Sequence, residues 1–265
     1  MPSLTTHKAD KSVKMLFVGD SGTGKTGALA SLAKAGYRLL ILDYDNGLDI
    51  LAALLADDPD ALARITYVTL TDKIKAVGDS LMTVGAPKAF PSGLKLLTTW
   101  KTETEDFGTT ADLDQHTIVV IDSLTLLSKA AFRYVDAVNN FKDGRQTYGE
   151  AQKKLEYLLQ LLYSDQFHPN VIITSHITYI DLEYEATKAY PSSIGKSLSP
   201  QIPRYFNTVL LAKTTGTGTN AKRVIRTTSD GLLDLKHPYP GKVPNELPLA
   251  TGLADFFRIA KGEIK

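Results

Sequence analysis

Gly19-Asp20-Ser21-Gly22-Thr23-Gly24-Lys25-Thr26 is the stretch from which the rest of the chain is read. It fills every fixed position of the pattern G-x-x-x-x-G-K-[ST]. An apolar run, Val13–Val18, precedes it, and an Ala/Leu-rich segment of helical period, from about Lys25 to Ala35, follows. A strand, a glycine loop and a helix in that order turn successive backbone N–H groups inward around phosphate oxygens, because glycine carries no Cβ to clash. The start of the helix adds its positive end. Lys25 has the length to reach β- and γ-phosphates, and the Thr26 hydroxyl can hold Mg²⁺. Gly19, Asp20, Ser21, Gly22, Thr23, Gly24, Lys25, Thr26 and Gly27 are therefore the candidate nucleotide-binding residues, with ATP and Mg²⁺ as ligands.

Working outward, a nucleotide-hydrolysing loop of this kind needs an acidic metal holder on a nearby strand. Ile118-Val119-Val120-Ile121-Asp122-Ser123 supplies four β-formers ending in one carboxylate. Asp122 is the candidate metal ligand beside Thr26, although an Asp there also suits a helix cap. A base must then orient or deprotonate the attacking water. Leu42-Asp43-Tyr44-Asp45-Asn46-Gly47 ends an earlier strand with two carboxylates, which alternation would point to one side if the strand continues. Asp45, lying further out, is the first candidate for the base and Asp43 the second. Ile172-Ile173-Thr174-Ser175-His176 ends another apolar run at the carboxyl edge, where open α/β sheets bind ligands. His176 is the candidate γ-phosphate sensor.

The remaining pattern alternates apolar runs with helical segments, the signature of an α/β fold with a mainly parallel central sheet. Strands are expected at Arg38–Leu42, Ile65–Leu70, Thr117–Ile121 and Val171–Thr174. Helices are expected at Leu48–Leu55, Leu94–Trp100, Leu124–Val138 and Gly149–Tyr163. Thr102–Asp114 reads as a surface loop. Phe206–Ala212 and Arg223–Thr228 read as a C-terminal β-hairpin around the turn Thr214–Asn220. Four prolines, 238, 240, 244 and 248, predict extended chain before a short helix near Ala254–Ile259. The organisation expected is a flexible N-terminus over 1–12, one domain over 13–230, and an extended segment over 231–265 packing on it.

Composition sets bounds. The 265 residues are 43% hydrophobic and 22% charged, the profile of an ordinary globular chain rather than a disordered or collagen-like one. Thirty Lys and Arg against 29 Asp and Glu leave +1, so bulk charge does not mark a nucleic-acid binder. Charge is nonetheless uneven. Between Arg38 and Arg64 lie six Asp and no base, whereas Ala186–Ser229 holds seven bases and no acid. The absence of cysteine excludes disulfides, thiolate zinc sites and cysteine nucleophiles. No stretch approaches the about 20 apolar residues that span a bilayer, and the N-terminal residues lack the apolar core of a signal peptide. The expected location is the cytoplasm, and no membrane partner is expected.

Taken together, Gly19–Thr26, Asp43–Gly47, Asp122-Ser123, Thr174–His176 and the late basic hairpin resemble the RecA-like ATPase core. Order and spacing resemble a phage family of single-domain RecA-like ATPases that act in single-strand annealing and recombination. The resemblance covers roughly Lys11 to Ser229. It implies ATP hydrolysis coupled to single-stranded DNA binding in a homo-oligomeric ring or filament, with a single-strand-binding protein as a further partner and host cytoplasm as the location. Relatives usually carry Glu where Asp45 stands, and RecA an amide where His176 stands. The two DNA-contacting loops of RecA-like proteins match Asn139–Glu150 and Ile177–Ser199. Their candidate DNA-binding residues are Lys142, Arg145, Tyr148, Lys188, Tyr190 and Lys196, since cations serve phosphates and flat rings serve bases. Tyrosines alternating over Ile177–Ala186 also fit a strand of a hairpin. On the late hairpin, Lys222, Arg223 and Arg226 are candidates for a finger reaching a neighbour's γ-phosphate, Arg226 first and Lys222 second.

Two other classes share the loop. A small-molecule kinase would need an Arg-rich lid, and Arg133 and Arg145 stand apart. A nucleotide-gated adaptor, loading a helicase or serving packaging, would bind ATP, hydrolyse it slowly and hold a protein partner.

Overall fold

Ile118-Val119-Val120-Ile121 shows how the sheet is made: every residue is β-branched, and every one is buried. Such a run can exist only with both faces covered. The computed structural model describes residues 12–139, 141, 143–181, 187–195 and 197–264.

The strands, in chain order, are β1 (Lys14–Val18), β2 (Arg38–Asp43), β3 (Ile65–Thr69), β4 (Ile74–Val77), β5 (Ser80–Thr83), β6 (Thr99–Lys101), β7 (Asp106–Thr109), β8 (Thr117–Asp122), β9 (Asn170–Ser175), β10 (Ile177–Ile180), β11 (Lys188–Pro191), β12 (Thr208–Thr215), β13 (Lys222–Arg226) and β14 (Glu246–Pro248). The α-helices are α1 (Lys25–Ala28), α2 (Ala30–Lys34), α3 (Asp49–Leu54), α4 (Pro59–Leu62), α5 (Ala89–Thr98), α6 (Leu124–Asn139), α7 (Gly144–Tyr163) and α8 (Gly252–Lys261). Eight strands form one sheet in the order β14-β13-β12-β1-β9-β8-β2-β3. From β12 to β3 all neighbours are parallel, while β13 and β14 extend one edge antiparallel. This is the mixed, mainly parallel α/β fold expected from the sequence, with β12 and β13 as the expected hairpin.

Strand alternation divides the core into two layers. Leu16, Val18, Leu40, Leu42, Val119, Ile121 and Ile173 face α5, α6 and α7. Met15, Phe17, Leu39, Ile41, Ile118, Val120 and Ile172 face α2, α3 and α8. Each such side chain contributes about 1.5–3 kcal/mol by leaving water. The parallel strands then end at one shared edge, where the glycine loop also lies.

Several local expectations need correction. The first helix is divided at Leu29, where Leu29 N–H bonds Thr26 O and Leu32 N–H bonds Leu29 O in tighter i−3 steps. Helix α5 starts at Ala89 and stops before Trp100, which is fully buried on β6. The supposed loop Thr102–Asp114 contains β7, paired with β6. Helix α7 begins at Gly144 rather than Gly149, because the Asp143 carboxylate caps it by accepting the Arg145 N–H at 2.9 Å. The expected flexible N-terminus lies outside the described residues except for Ser12, which is buried. In the tail the expected short helix is present as α8, which packs Leu253, Phe256 and Phe257 into the core layer that holds Leu29 and Leu32, but the chain before it also forms a strand, β14, hydrogen-bonded to β13.

Candidate active site

Gly19 follows β1 directly, and its N–H bonds Ser175 O on β9 at 3.1 Å. Only glycine fits there, since a Cβ would stand 2.6 Å from Ala212 O. Thr23 closes the turn by donating its hydroxyl to Asp20 O at 2.8 Å. Gly24 takes φ +92°, a left-handed conformation that L side chains resist, and leads into α1. The Lys25 ammonium curls back to Gly19 O at 2.8 Å and Asp20 O at 3.0 Å. Burial pushes its pKa down, against the raising effect of Asp122, Asp45 and Asp20.

Register brings the acids to this loop. Asp43 and Asp122 pair across β2 and β8 at their carboxyl ends. The Thr26 hydroxyl donates to Asp122 Oδ2 at 2.7 Å, and the Thr174 hydroxyl donates to Asp122 Oδ1. Burial raises the Asp122 pKa above the usual carboxylate range, opposed by those two hydroxyls, with Asp45 and Asp43 pushing it further up. A hydroxyl and a carboxylate side by side form a hard-oxygen donor set that fits Mg²⁺, which keeps most of its shell as water and phosphate oxygen.

Strand β2 stops at Asp43, so the two carboxylates do not share one side as continued alternation required. Tyr44 N–H and Asp45 N–H both turn to Asp122 O, at 2.6 and 3.2 Å. Asp43, buried, receives the Gly47 N–H and the Thr69 hydroxyl, each at 3.4 Å, and so stitches the turn. Asn46 takes the left-handed φ of 52° that the turn needs. Asp45 instead accepts the Ser123 hydroxyl at 2.7 Å and the Ser123 N–H at 3.2 Å, beside Asp122. His176 follows β9, its N–H bonded to Thr125 Oγ1 at 3.2 Å. Burial first, and Lys25 second, lower its pKa, so the ring is neutral near pH 7.

The other candidates are more dispersed. Arg145 and Tyr148 are exposed on the first turns of α7, not in a loop, and Tyr148 rests on Phe132 with ring centres 4.5 Å apart. Lys188 and Tyr190 lie on β11, and Lys188 pairs with Asp234 at 3.7 Å. Lys142 and Lys196 lie outside the described residues. Gln152 on α7 donates to Ile194 O and accepts from Ser197 Oγ, each at 3.1 Å, tying α7 to the segment after β11. Arg226 pairs with Glu246 at 3.7 Å, while Lys222 is exposed at the start of β13.

Sequence reasoning passed over four contacts. Ser123 and Thr174 hold the two acids. Tyr179 on β10 donates its hydroxyl to Asp20 Oδ2 at 3.1 Å, and Leu249 packs against Gly24. Only Ser123 and Thr174 left a local sign, a hydroxyl at the carboxyl end of a buried strand.

A mainly parallel sheet covered on both faces, with Gly19–Thr26 at the end of β1 and Asp122 two strands away, defines a P-loop ATPase of the RecA-like type. The AAA domain family matches residues 11–239, and the chain belongs to that family. No curated protein matches the sequence. Among solved structures, the chain is similar to a KaiC-like protein from the hyperthermophilic archaeon Pyrococcus horikoshii OT3, at 12% identity over 85% of this chain and 81% of that one, with a TM-score of 0.42. It is also similar to the flagellar accessory protein FlaH from Methanocaldococcus jannaschii, at 11% identity over 91% and 87%, with a TM-score of 0.44. An ATPase from the type III secretion system of pathogenic bacteria aligns at 15% identity over 76% of this chain and 51% of that one, with a TM-score of 0.44. Among the described residues no helix is long and apolar enough to cross a membrane.

Proposed function

We propose that the chain hydrolyses Mg²⁺-ATP to ADP and phosphate and couples that reaction to single-stranded DNA in a homo-oligomer, in recombination or annealing. The observation that carries the hydrolytic reading is the convergence of Lys25, Thr26, Asp122 and Asp45 at one sheet edge. Glycine-loop amides and Lys25 hold the phosphates, and Lys25 exchanges its two carbonyl partners for phosphate oxygens. Thr26 and Asp122 would hold Mg²⁺, which would supply positive charge to offset that of the phosphates. Asp45, oriented by Ser123, accepts the proton of the attacking water as its oxygen bonds to the γ-phosphorus and the bond to ADP breaks. His176, neutral, senses the γ-phosphate.

The DNA reading is supported by Arg145 and Tyr148 on α7 and by the tie from Gln152 to the segment after β11. Lys222 is open to a neighbouring subunit, whereas Arg226 already has a partner in Glu246. A specific observation favours a second reading, the nucleotide-gated adaptor. Hairpin β4–β5 exposes Ile74, Leu81 and Met82, a surface suited to a protein.

The test measures ATP turnover with and without single-stranded DNA, using Lys25→Ala as control. DNA should raise turnover of the wild type and leave the Lys25→Ala protein inactive yet folded. Turnover indifferent to DNA, with retention of a protein partner, selects the adaptor. No calorimetric heat from Mg²⁺-ATP on folded protein removes both readings.

A further inference from the structure

The late basic hairpin carries a third cation, Arg223, that its neighbours in sequence obscure. Strand β13 pairs antiparallel with β12, Arg223 opposite Thr214 and Ile225 opposite Ala212. Ile225 and Ala212 belong to the core layer that also holds Ala28 and Leu29. Two-residue alternation therefore puts Arg223 on the face that carries α1, and Lys222, Val224 and Arg226 on the opposite face. Its place near the glycine loop is direct. A Cβ on Gly24 would stand 3.6 Å from Arg223 Cδ and 3.9 Å from Arg223 Nη1.

The backbone beneath this side chain is fixed on both sides. Beyond β12, the Leu249 N–H donates to Arg223 O at 3.2 Å, and Val224 pairs with Pro248. Leu249 in turn fills the space against Gly24, its Cδ2 2.5 Å from where a Cβ would be. Charge distinguishes Arg223 from the other cations of this region. Lys188, Lys213 and Arg226 each have a carboxylate within 4 Å, namely Asp234, Asp230 and Glu246. Among the described residues no carboxylate lies within that distance of Arg223.

The geometry points to Arg223 as a phosphate-contacting residue that serves the P-loop of its own chain, in cis. A guanidinium beside Gly24, at the junction of loop and α1, offers a planar fork of N–H donors suited to phosphate oxygens. This rests on the proposed binding of ATP at Gly19–Thr26. It differs from a finger reaching a neighbour, the role for which Lys222, Arg223 and Arg226 were all sequence candidates.

The experiment compares Mg²⁺-ATP binding by calorimetry for wild type, Arg223→Ala and Arg223→Lys, with circular dichroism to verify folding. Arg223 is exposed and outside the core, so the variants should fold. Loss of one charge-assisted contact should weaken binding about tenfold in Arg223→Ala, and Arg223→Lys should recover part of it. Mixing Arg223→Ala with Lys25→Ala subunits then separates cis from trans. In cis, turnover of the mixture equals the sum of its parts. In trans, hybrid interfaces pair an intact loop with an intact Arg223, and turnover rises above that sum, overturning the inference. Wild-type affinity in Arg223→Ala overturns it too while leaving ATP binding intact. Absence of binding by the wild type overturns it together with the proposal on which it rests.

Discussion

Asp122 is almost wholly out of water, yet it is the residue asked to carry charge beside a metal. Burial holds its pKa up, and two hydroxyls oppose that effect without cancelling it. The sign follows directly. A carboxyl whose pKa is higher in the folded than in the unfolded chain favours folding when protonated, and that contribution is lost as pH rises through the folded value. Ionising the group with no nucleotide bound therefore costs stability. Asp122→Asn should raise the melting temperature of the nucleotide-free protein by about 2–4 °C, the response to roughly 1 kcal/mol in a chain of this size. Turnover should fall at least about a hundredfold. Thermal melts against pH check the cause: the gap between variant and wild type should close as pH falls. A variant less stable than the wild type at pH 7 would mean that the hydroxyls outweigh burial. At this scale the sequence was readable where function occupies contiguous residues, as in Gly19–Thr26 and Asp122-Ser123. Arg223 was read only as a candidate finger toward a neighbour, because its place beside Gly24 of the same chain depends on a strand register that spans the length of the chain.

Elements were legible where period and apolarity agreed. The inner runs of β1, β2, β8 and β9, namely Met15–Val18, Leu39–Leu42, Ile118–Ile121 and Val171–Ile173, are apolar because both faces are buried. The stretch between Thr71 and Gln115 was opaque for a physical reason. Its two hairpins, β4–β5 and β6–β7, are short ribbons with few buried residues, so no hydrophobic alternation marks them. Helix α7 begins five residues before its expected start at Gly149, because the Asp143 cap outweighs the low helix propensity of Gly144 and Gly149. Exposure also predicts what β4–β5 contributes to stability. None of its residues is buried, and its ends are joined by the Val84 N–H to Lys73 O bond at 2.8 Å. Replacing residues 74–83 with a short Gly/Ser turn should change the melting temperature by no more than about 2–4 °C and leave ATP affinity unaltered. A drop well beyond that would mean the ribbon is packed against something in solution.

Across the whole molecule, near-neutral charge conceals a local exchange. The stretch Ala186–Ser229 holds seven cations and no acid, but the next segment folds back with Asp230, Asp234 and Glu246 and pairs three of them. Sequence distance hid this neutralisation. Arg145, Arg204 and Lys222 have no ion pair among the described residues, and under the proposed function they are the cations open to DNA phosphates. At about 0.7 counterions per single-strand phosphate contact, log Kobs for single-stranded DNA should fall with log salt at a slope of about −2 per subunit. Fluorescence titration over a series of salt concentrations measures it. A slope near zero would rule out phosphate contacts, and one of about −4 would mean that DNA displaces the three carboxylates. The hairpin β4–β5 makes such measurements practical. Its tip, Gly78-Asp79, is fully outside the packed core, and the chain contains no cysteine. Asp79→Cys would give the chain a sole thiol, so that one maleimide dye on this exposed turn could report in real time whether subunits associate, without a fusion partner.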